Sequence, residues 1–326
     1  MGRRLQRIWK GLAAGGAAGV AALAAANAVV ARDRREPETG ALGGEAGAYQ
    51  WEHGQVFFRH AGDPDARPFV FLHAIGAGAR SFMWRRNFEP LSRAARAYAI
   101  DLLGFGYSDK PPTAPYSADL YVALVKDFLR EVVGRPAVVV AHSLSAAYAV
   151  RAAEEEPALV DSLVLVSPTG ASDASARPGM TGAAFYGLLH SPVLGTSFYN
   201  AMTSERSLRD YARQHLFYQK RFATPRLVAH YYAVSHLPGA QYAVTAYLSG
   251  YLNTDIREPF ARLRQPVTLV WGRQDMANPV ERAGQLLRLN PRARLELFDR
   301  CRLMPQEEHA ERFNSLLLDA PRARPA

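Results

Sequence analysis

Cysteine is almost missing from this chain: Cys301 is the single one among 326 residues. No internal disulfide can form and no cysteine-based metal site can assemble, which leaves secretion neither required nor excluded. A dinucleotide fingerprint is missing too, since no Gly-X-Gly-X-X-Gly run follows an early strand. Neither a metal nor a cofactor is expected, and no internal repeat is evident. Acidic residues are in deficit, 30 against 39 Lys and Arg, for a formal net charge of +9. That excess does not describe a groove for phosphates. Residues 1–35 carry Arg3, Arg4, Arg7, Lys10, Arg32, Arg34 and Arg35 against Asp33, a net of +6 that leaves +3 for the rest of the chain. Basicity gathered at one end argues against a nucleic-acid partner.

What those cations flank is an uncharged run, residues 11–31, made of eleven Ala, four Gly, three Val, two Leu and Asn27. At about 1.5 Å per residue it is just long enough to cross a bilayer core, although Ala and Gly contribute little to insertion. Residues 1–35 are expected to form an N-terminal anchor that reaches a membrane through residues 11–31. The alternatives are a signal peptide cleaved near Ala24-Ala25-Ala26, with secretion, or a soluble leader. Residues 36–48 have no apolar periodicity and are expected to be a linker.

From Tyr49 the pattern changes. Trp51, Val56, Phe57 and Phe58 flank His53-Gly54-Gln55, which suggests an antiparallel hairpin. Short apolar runs then recur: Phe69–Leu72, Ala97–Ile100, Val138–Ala141, Ser162–Val166, Val267–Trp271 and Leu295–Phe298. Helical stretches are expected between them, at 84–93, at 117–133 and after Ser143. Buried strands alternating with helices predict an α/β domain over 49–320, a mostly parallel sheet of about eight strands, with residues 321–326 as a tail. The strand signal lapses over about 171–264, a region holding nine of the fifteen tyrosines. That region is expected to be a helical cap inserted after the sixth strand, its aromatics lining an apolar pocket or packing its own helices together.

The run Ala141-His142-Ser143-Leu144-Ser145 links a strand to an Ala-rich helix with one hydroxyl at the turn. Small flanking residues permit the close approach of strand and helix, and the hydroxyl is left at the positive end of the helix. With Phe71-Leu72-His73-Ala74-Ile75-Gly76, Asp101–Ser108 and Trp271-Gly272-Arg273-Gln274-Asp275, this order resembles the α/β-hydrolase fold family, in its cap-bearing, serine-nucleophile branch. The resemblance implies Ser143 as nucleophile and Asp275 as the acid. It implies the amides of Ile75 and Leu144 as the oxyanion hole, with His73 and His142 beside the substrate. Ala74 stands where the family usually has glycine, which puts the first half of that hole in doubt.

The family supplies its base after the last strand as Gly-His-X-Pro. Aligned on Pro305 and Glu308, the chain has Arg302 and Leu303 at the first two of those positions. A serine hydroxyl needs such a base at neutral pH. His309, His142, His73, His230 and His236 are the conceivable substitutes, and nothing in the sequence brings any of them to Ser143. Two functions remain open. One is hydrolysis of a small apolar acyl substrate by an incomplete or displaced triad. The other is a catalytically degenerate, membrane-tethered fold that binds a lipophilic ligand or protein partner.

Overall fold

The computed structural model describes residues 18–37, 42–171 and 179–322. Residues 1–17 of the expected anchor, 38–41 of the linker, 172–178 of the cap and 323–326 of the tail lie outside them. Eight strands are seen: β1 (Glu45–Trp51), β2 (Gly54–Ala61), β3 (Pro68–Leu72), β4 (Arg96–Ile100), β5 (Ala137–His142), β6 (Val160–Val166), β7 (Val267–Gly272) and β8 (Arg294–Phe298). They form one sheet in the order β1-β2-β4-β3-β5-β6-β7-β8, antiparallel at β1, β2 and β4 and parallel from β4 to β8. β3, β5 and β7 are buried along their whole length. That is why they read as unbroken apolar runs rather than alternations.

Two expectations need correction. β1 starts at Glu45, inside the expected linker; its Glu-Ala-Gly-Ala start carries no branched or aromatic residue, so the strand has no local signature. The helix expected over 84–93 is instead a tight turn, Ser81–Trp84, and a separate helix, Phe88–Ser92. Pro90 is the cause, because its ring would collide with the carbonyl of Arg86 in a continuous helix.

Two apolar layers cover the sheet. One includes Tyr121 and Tyr148, stacked at 5.2 Å, from the helices Ala118–Asp127 and Leu144–Glu155. Ala146, Ala149 and Ala153 let the second of these lie close on the strands. The other layer gathers Phe71, Trp84, Phe88 and Phe313. It is crossed by a buried ion pair, in which both Glu307 carboxylate oxygens accept from the Arg85 guanidinium. Burial pushes the Glu307 carboxyl up and Arg85 pulls it back. Glu307→Gln removes a charge that burial already disfavours and leaves Arg85, 22% exposed, within reach of water, so it is expected to cost no more than about 1 kcal/mol, read as a slightly lowered urea midpoint. An unchanged midpoint would show that this pair contributes nothing net.

Between β6 and β7 the described chain is helical, with Met180–Leu189, Leu194–Met202, Glu205–Tyr211, Pro225–Ser235 and Gln241–Leu248 the longer pieces. The N-terminal helix spans 18–32. No helix among the described residues is long and apolar enough to cross a membrane. Helix 18–32 meets the inserted helices near its end. Asn27 donates to the Val193 carbonyl at 3.1 Å and accepts from Ser197 at 3.2 Å and Asn200 at 3.0 Å.

Candidate active site

β5 ends at His142 and the helix Leu144–Glu155 begins one residue beyond Ser143. The chain therefore reverses at Ser143, whose φ of 56° and ψ of −121° lie in a region that side chains avoid. Such a conformation costs about 1–3 kcal/mol and persists only when its surroundings fix it. They do so here: the Ser143 amide donates to Val166 at 2.9 Å, and its carbonyl accepts from Ala146 at 3.2 Å and Thr169 at 3.3 Å. Ser145 donates its hydroxyl to the His73 carbonyl at 2.5 Å, which ties the turn to the loop after β3. A serine thus does at 145 what a smaller residue could not.

Ser143 opens onto a cavity of about 410 Å³. Ile75, Met83, Leu303 and Met304 border it from the sheet side, with Leu208, Tyr211, Val244 and Tyr247 from the inserted helices. Leu144 opens its helix, where amides have no intrahelical acceptor, and Ile75 borders the same space. Ala74 needs no left-handed backbone, since the positive-φ non-glycine residues described are Ser143, Ser167 and Arg300. A methyl group at 74 therefore meets no backbone obstacle, and the Ala74 amide lies 3.2 Å from the Met83 sulfur.

Asp275 follows β7 and is 5% exposed. Its Oδ1 accepts from the amides of Ala277 at 2.9 Å and Asn278 at 3.0 Å, and its Oδ2 from the Ser167 hydroxyl at 2.9 Å. Burial raises the carboxyl's pKa, and these three donors pull it back. The next loop is fastened alongside. Gln274 donates its amide to Cys301 at 3.0 Å and accepts the Cys301 amide on its side-chain oxygen at 3.0 Å. Gly272 is required for this closeness, because a Cβ there would stand 2.0 Å from the Arg302 carbonyl.

The histidines are placed as follows. His142 is fully buried and its Nε2 lies 2.8 Å from the Leu303 carbonyl. That contact makes Nε2 the donor, and the buried Nδ1 has no partner. Burial lowers the ring's pKa to about 4. His73 is fully buried as well. Its Nδ1 donates to the Ala74 carbonyl at 2.7 Å and its Nε2 accepts the Leu102 amide at 3.0 Å, so no hydrogen bond is left for a substrate. His230 stacks on Phe82 at 3.8 Å. His236 lies near Tyr232 and Thr203, and His309 lies between the helices Pro305–Glu308 and Ala310–Leu318. None of these last three borders the cavity.

Sequence reasoning gave Ser167 no role, yet its hydroxyl holds Asp275 and it shares the positive φ of Ser143, at 43°. Asn278 was missed too; its side-chain amide donates to the Ser167 and Pro168 carbonyls at 2.9 and 3.0 Å. The position of Ser167 at a strand end was the one available signal. No cluster of His, Cys, Asp or Glu able to hold a metal occurs among the described residues.

A parallel-centred sheet with a serine in a strained turn and an acid after the seventh strand defines the class, and the comparisons agree with it. Residues 69–316 match the Alpha/beta hydrolase family, to which this chain belongs. It is similar to 2-hydroxymuconate semialdehyde hydrolase of Pseudomonas sp. (strain CF600), 27% identical over 260 residues, 77% of this chain and 86% of that protein. It is similar also to 2-hydroxy-6-oxononadienedioate/2-hydroxy-6-oxononatrienedioate hydrolase of Cupriavidus pinatubonensis (strain JMP 134 / LMG 1197), 27% identical over 278 residues, 82% of this chain and 91% of that one. Among solved structures, a meta-cleavage product hydrolase (CumD) of Pseudomonas fluorescens IP01 superposes with a TM-score of 0.68 at 22% identity. That match covers 84% of this chain and 96% of the other, and it shows the fold alone.

Proposed function

We propose that this protein is a serine hydrolase acting on an ester-type bond of a small apolar acyl substrate, with a triad that lacks its usual histidine. The observation that carries the reading is Ser143, held at φ 56° against its backbone preference and facing a mainly apolar cavity. In the reaction its Oγ attacks the acyl carbonyl, and the negative charge develops toward the amides of Leu144 and Ile75. Losing one such donor typically costs about 10²–10³ in rate. Asp275 is the acid, and Leu303 stands where the imidazole would take the serine proton. That proton must leave to water or the leaving group, so acylation is slow.

The relatives are named for keto- and semialdehyde-type acids, whereas the cavity supports an uncharged substrate better. Arg80 is the cation that borders it, and all three guanidinium nitrogens are buried with no hydrogen-bond partner. Asp101 at 3.8 Å and the Tyr107 ring at 4.2 Å balance its charge without taking its donors, so the support for an uncharged substrate is the apolar lining from Ile75, Met83, Leu208, Val244 and Leu303. The N-terminal segment is read as a tether to a membrane, with secretion after cleavage as the alternative; the N-terminus of the mature protein separates the two.

A fluorophosphonate probe tests the nucleophile, because it reacts with a competent serine whatever the natural substrate. Labelling of the wild type that disappears in Ser143→Ala is the expected result. Leu303 also favours a second reading, a degenerate fold that binds a lipophilic ligand or partner. Folded protein that takes up no label would decide for that one.

A further inference from the structure

The helices Met180–Leu189 and Leu194–Met202 leave large apolar side chains in the open: Met180, Phe185, Leu188, Leu194 and Phe198 are all exposed. The Phe185 and Phe198 rings meet edge to face at 6.4 Å, so these residues make a patch rather than scattered points. No Asp, Glu, Lys or Arg occurs from 179 to 203. A surface of that kind is costly in water and marks a contact.

Helix 18–32 adds to it. It is exposed along most of its length, with Asn27 and Val30 half-buried, and it presents Val20, Leu23 and Val29 outward. Its one side-chain amide bonds to the chain at Val193, Ser197 and Asn200, on and beside the helix that carries Leu194 and Phe198. Arg35 closes the junction on Glu205 at 2.6 Å and lies over the Tyr232 ring at 5.0 Å. A polar tether thus joins one uncharged segment to another. Arg32, Arg34 and Arg35 end this helix and follow it, and in the sequence Arg3, Arg4, Arg7 and Lys10 precede the uncharged run.

We propose that this face of the inserted helices, with helix 18–32, lies on an anionic lipid surface. Apolar side chains enter the acyl boundary and the flanking cations meet the headgroups, as for interfacial helices. Met202, the last residue of the helix Leu194–Met202, borders the Ser143 cavity, so the proposed lipid-facing helices reach that cavity at one end. This inference rests on the tether reading and assigns to the helices a share of the contact that the tether alone does not explain.

The test is flotation of the full chain with vesicles of phosphatidylcholine alone or mixed with phosphatidylglycerol. Wild type is expected to float with the mixed vesicles and much less with the neutral ones. Phe185→Glu combined with Phe198→Glu, with residues 1–35 intact, is expected to weaken binding by at least about ten-fold. Wild type that fails to float overturns the tether reading itself. A double variant that floats like wild type overturns the proposal and leaves the tether standing. Equal binding to both vesicles overturns the anionic surface. Should the double variant misfold, Phe198→Cys carrying an environment-sensitive dye serves instead: a blue shift on adding mixed vesicles supports the contact, and an unshifted spectrum overturns it.

Discussion

Leu303→His is expected to raise the hydrolysis of a simple aryl ester such as p-nitrophenyl butyrate by about 10²-fold or more. The backbone at 303 is already held in place. Its carbonyl accepts from His142 at 2.8 Å, and the preceding Arg302 amide donates to Glu308 at 3.0 Å. Neither bond involves the leucine side chain, which borders the same cavity as Ser143. The acid is also waiting. Asp275 accepts three hydrogen bonds and, as a carboxylate, has room for a fourth from an imidazole N–H. A complete triad is worth up to about 10⁶ in kcat where it has been dismantled, so a grafted base in imperfect geometry can still give a large gain. The gain should vanish in Ser143→Ala. It should also follow a group titrating near the ordinary histidine pKa of about 6.5. A wild type that is already fast, and a Leu303→His that adds nothing, would show that a base reaches Ser143 by another route. His142→Gln would then be the first substitution to try, since its Nδ1 is unpartnered.

The fold was legible in the sequence because its central strands β3, β5 and β7 are buried on both faces and therefore appear as unbroken apolar runs. The turn at Ser143 was legible for a different reason: strand, hydroxyl and helix are contiguous, so the whole device lies within Ala141–Ser145. The contacts that hold the candidate site together have no such locality. Ser167 reaches Asp275 across 108 positions, His142 reaches Leu303 across 161, and Arg85 reaches Glu307 across 222. No spacing rule links residues that far apart, and a serine at a strand end looks like any other until the sheet closes. The inserted helices were visible only as a lapse in strand signal. Their uncharged stretch acquires meaning once it is seen exposed and joined to helix 18–32.

Acid should unfold this protein early, with stability falling by about 4 kcal/mol between pH 7 and pH 5. Two histidines are responsible. Burial lowers His142 to about 4, with no charged partner to offset it. Burial lowers His230 to about 3, helped by the positive charges of Arg80 and Arg85. In the unfolded chain both rings take a proton near pH 6.5, while in the folded protein both stay neutral well below that. The unfolded state then binds more protons than the native one, so stability rises with pH and is lost as the pH falls through 6.5 toward 4. At pH 5 each ring accounts for about 2 kcal/mol, since one pKa unit is worth about 1.4 kcal/mol. His73, buried and also lowered, adds to the fall. Asp275 and Glu307 act in the opposite sense, because their carboxyls are raised in the folded state and gain from protonation. Their gain sets in as the pH falls through their raised folded pKa values and is complete below the unfolded carboxyl range of about 4, so it blunts the decline at the acid end. Urea midpoints measured at half-unit intervals would trace the slope. His230→Phe keeps an aromatic ring against Phe82, 3.8 Å from the present imidazole, and removes one titrating group. It should flatten the slope by about one proton while leaving stability at pH 7 nearly unchanged. A wild type equally stable at pH 7 and pH 5 would mean that these rings are protonated in the folded protein after all, with solvent or an acidic partner reaching them.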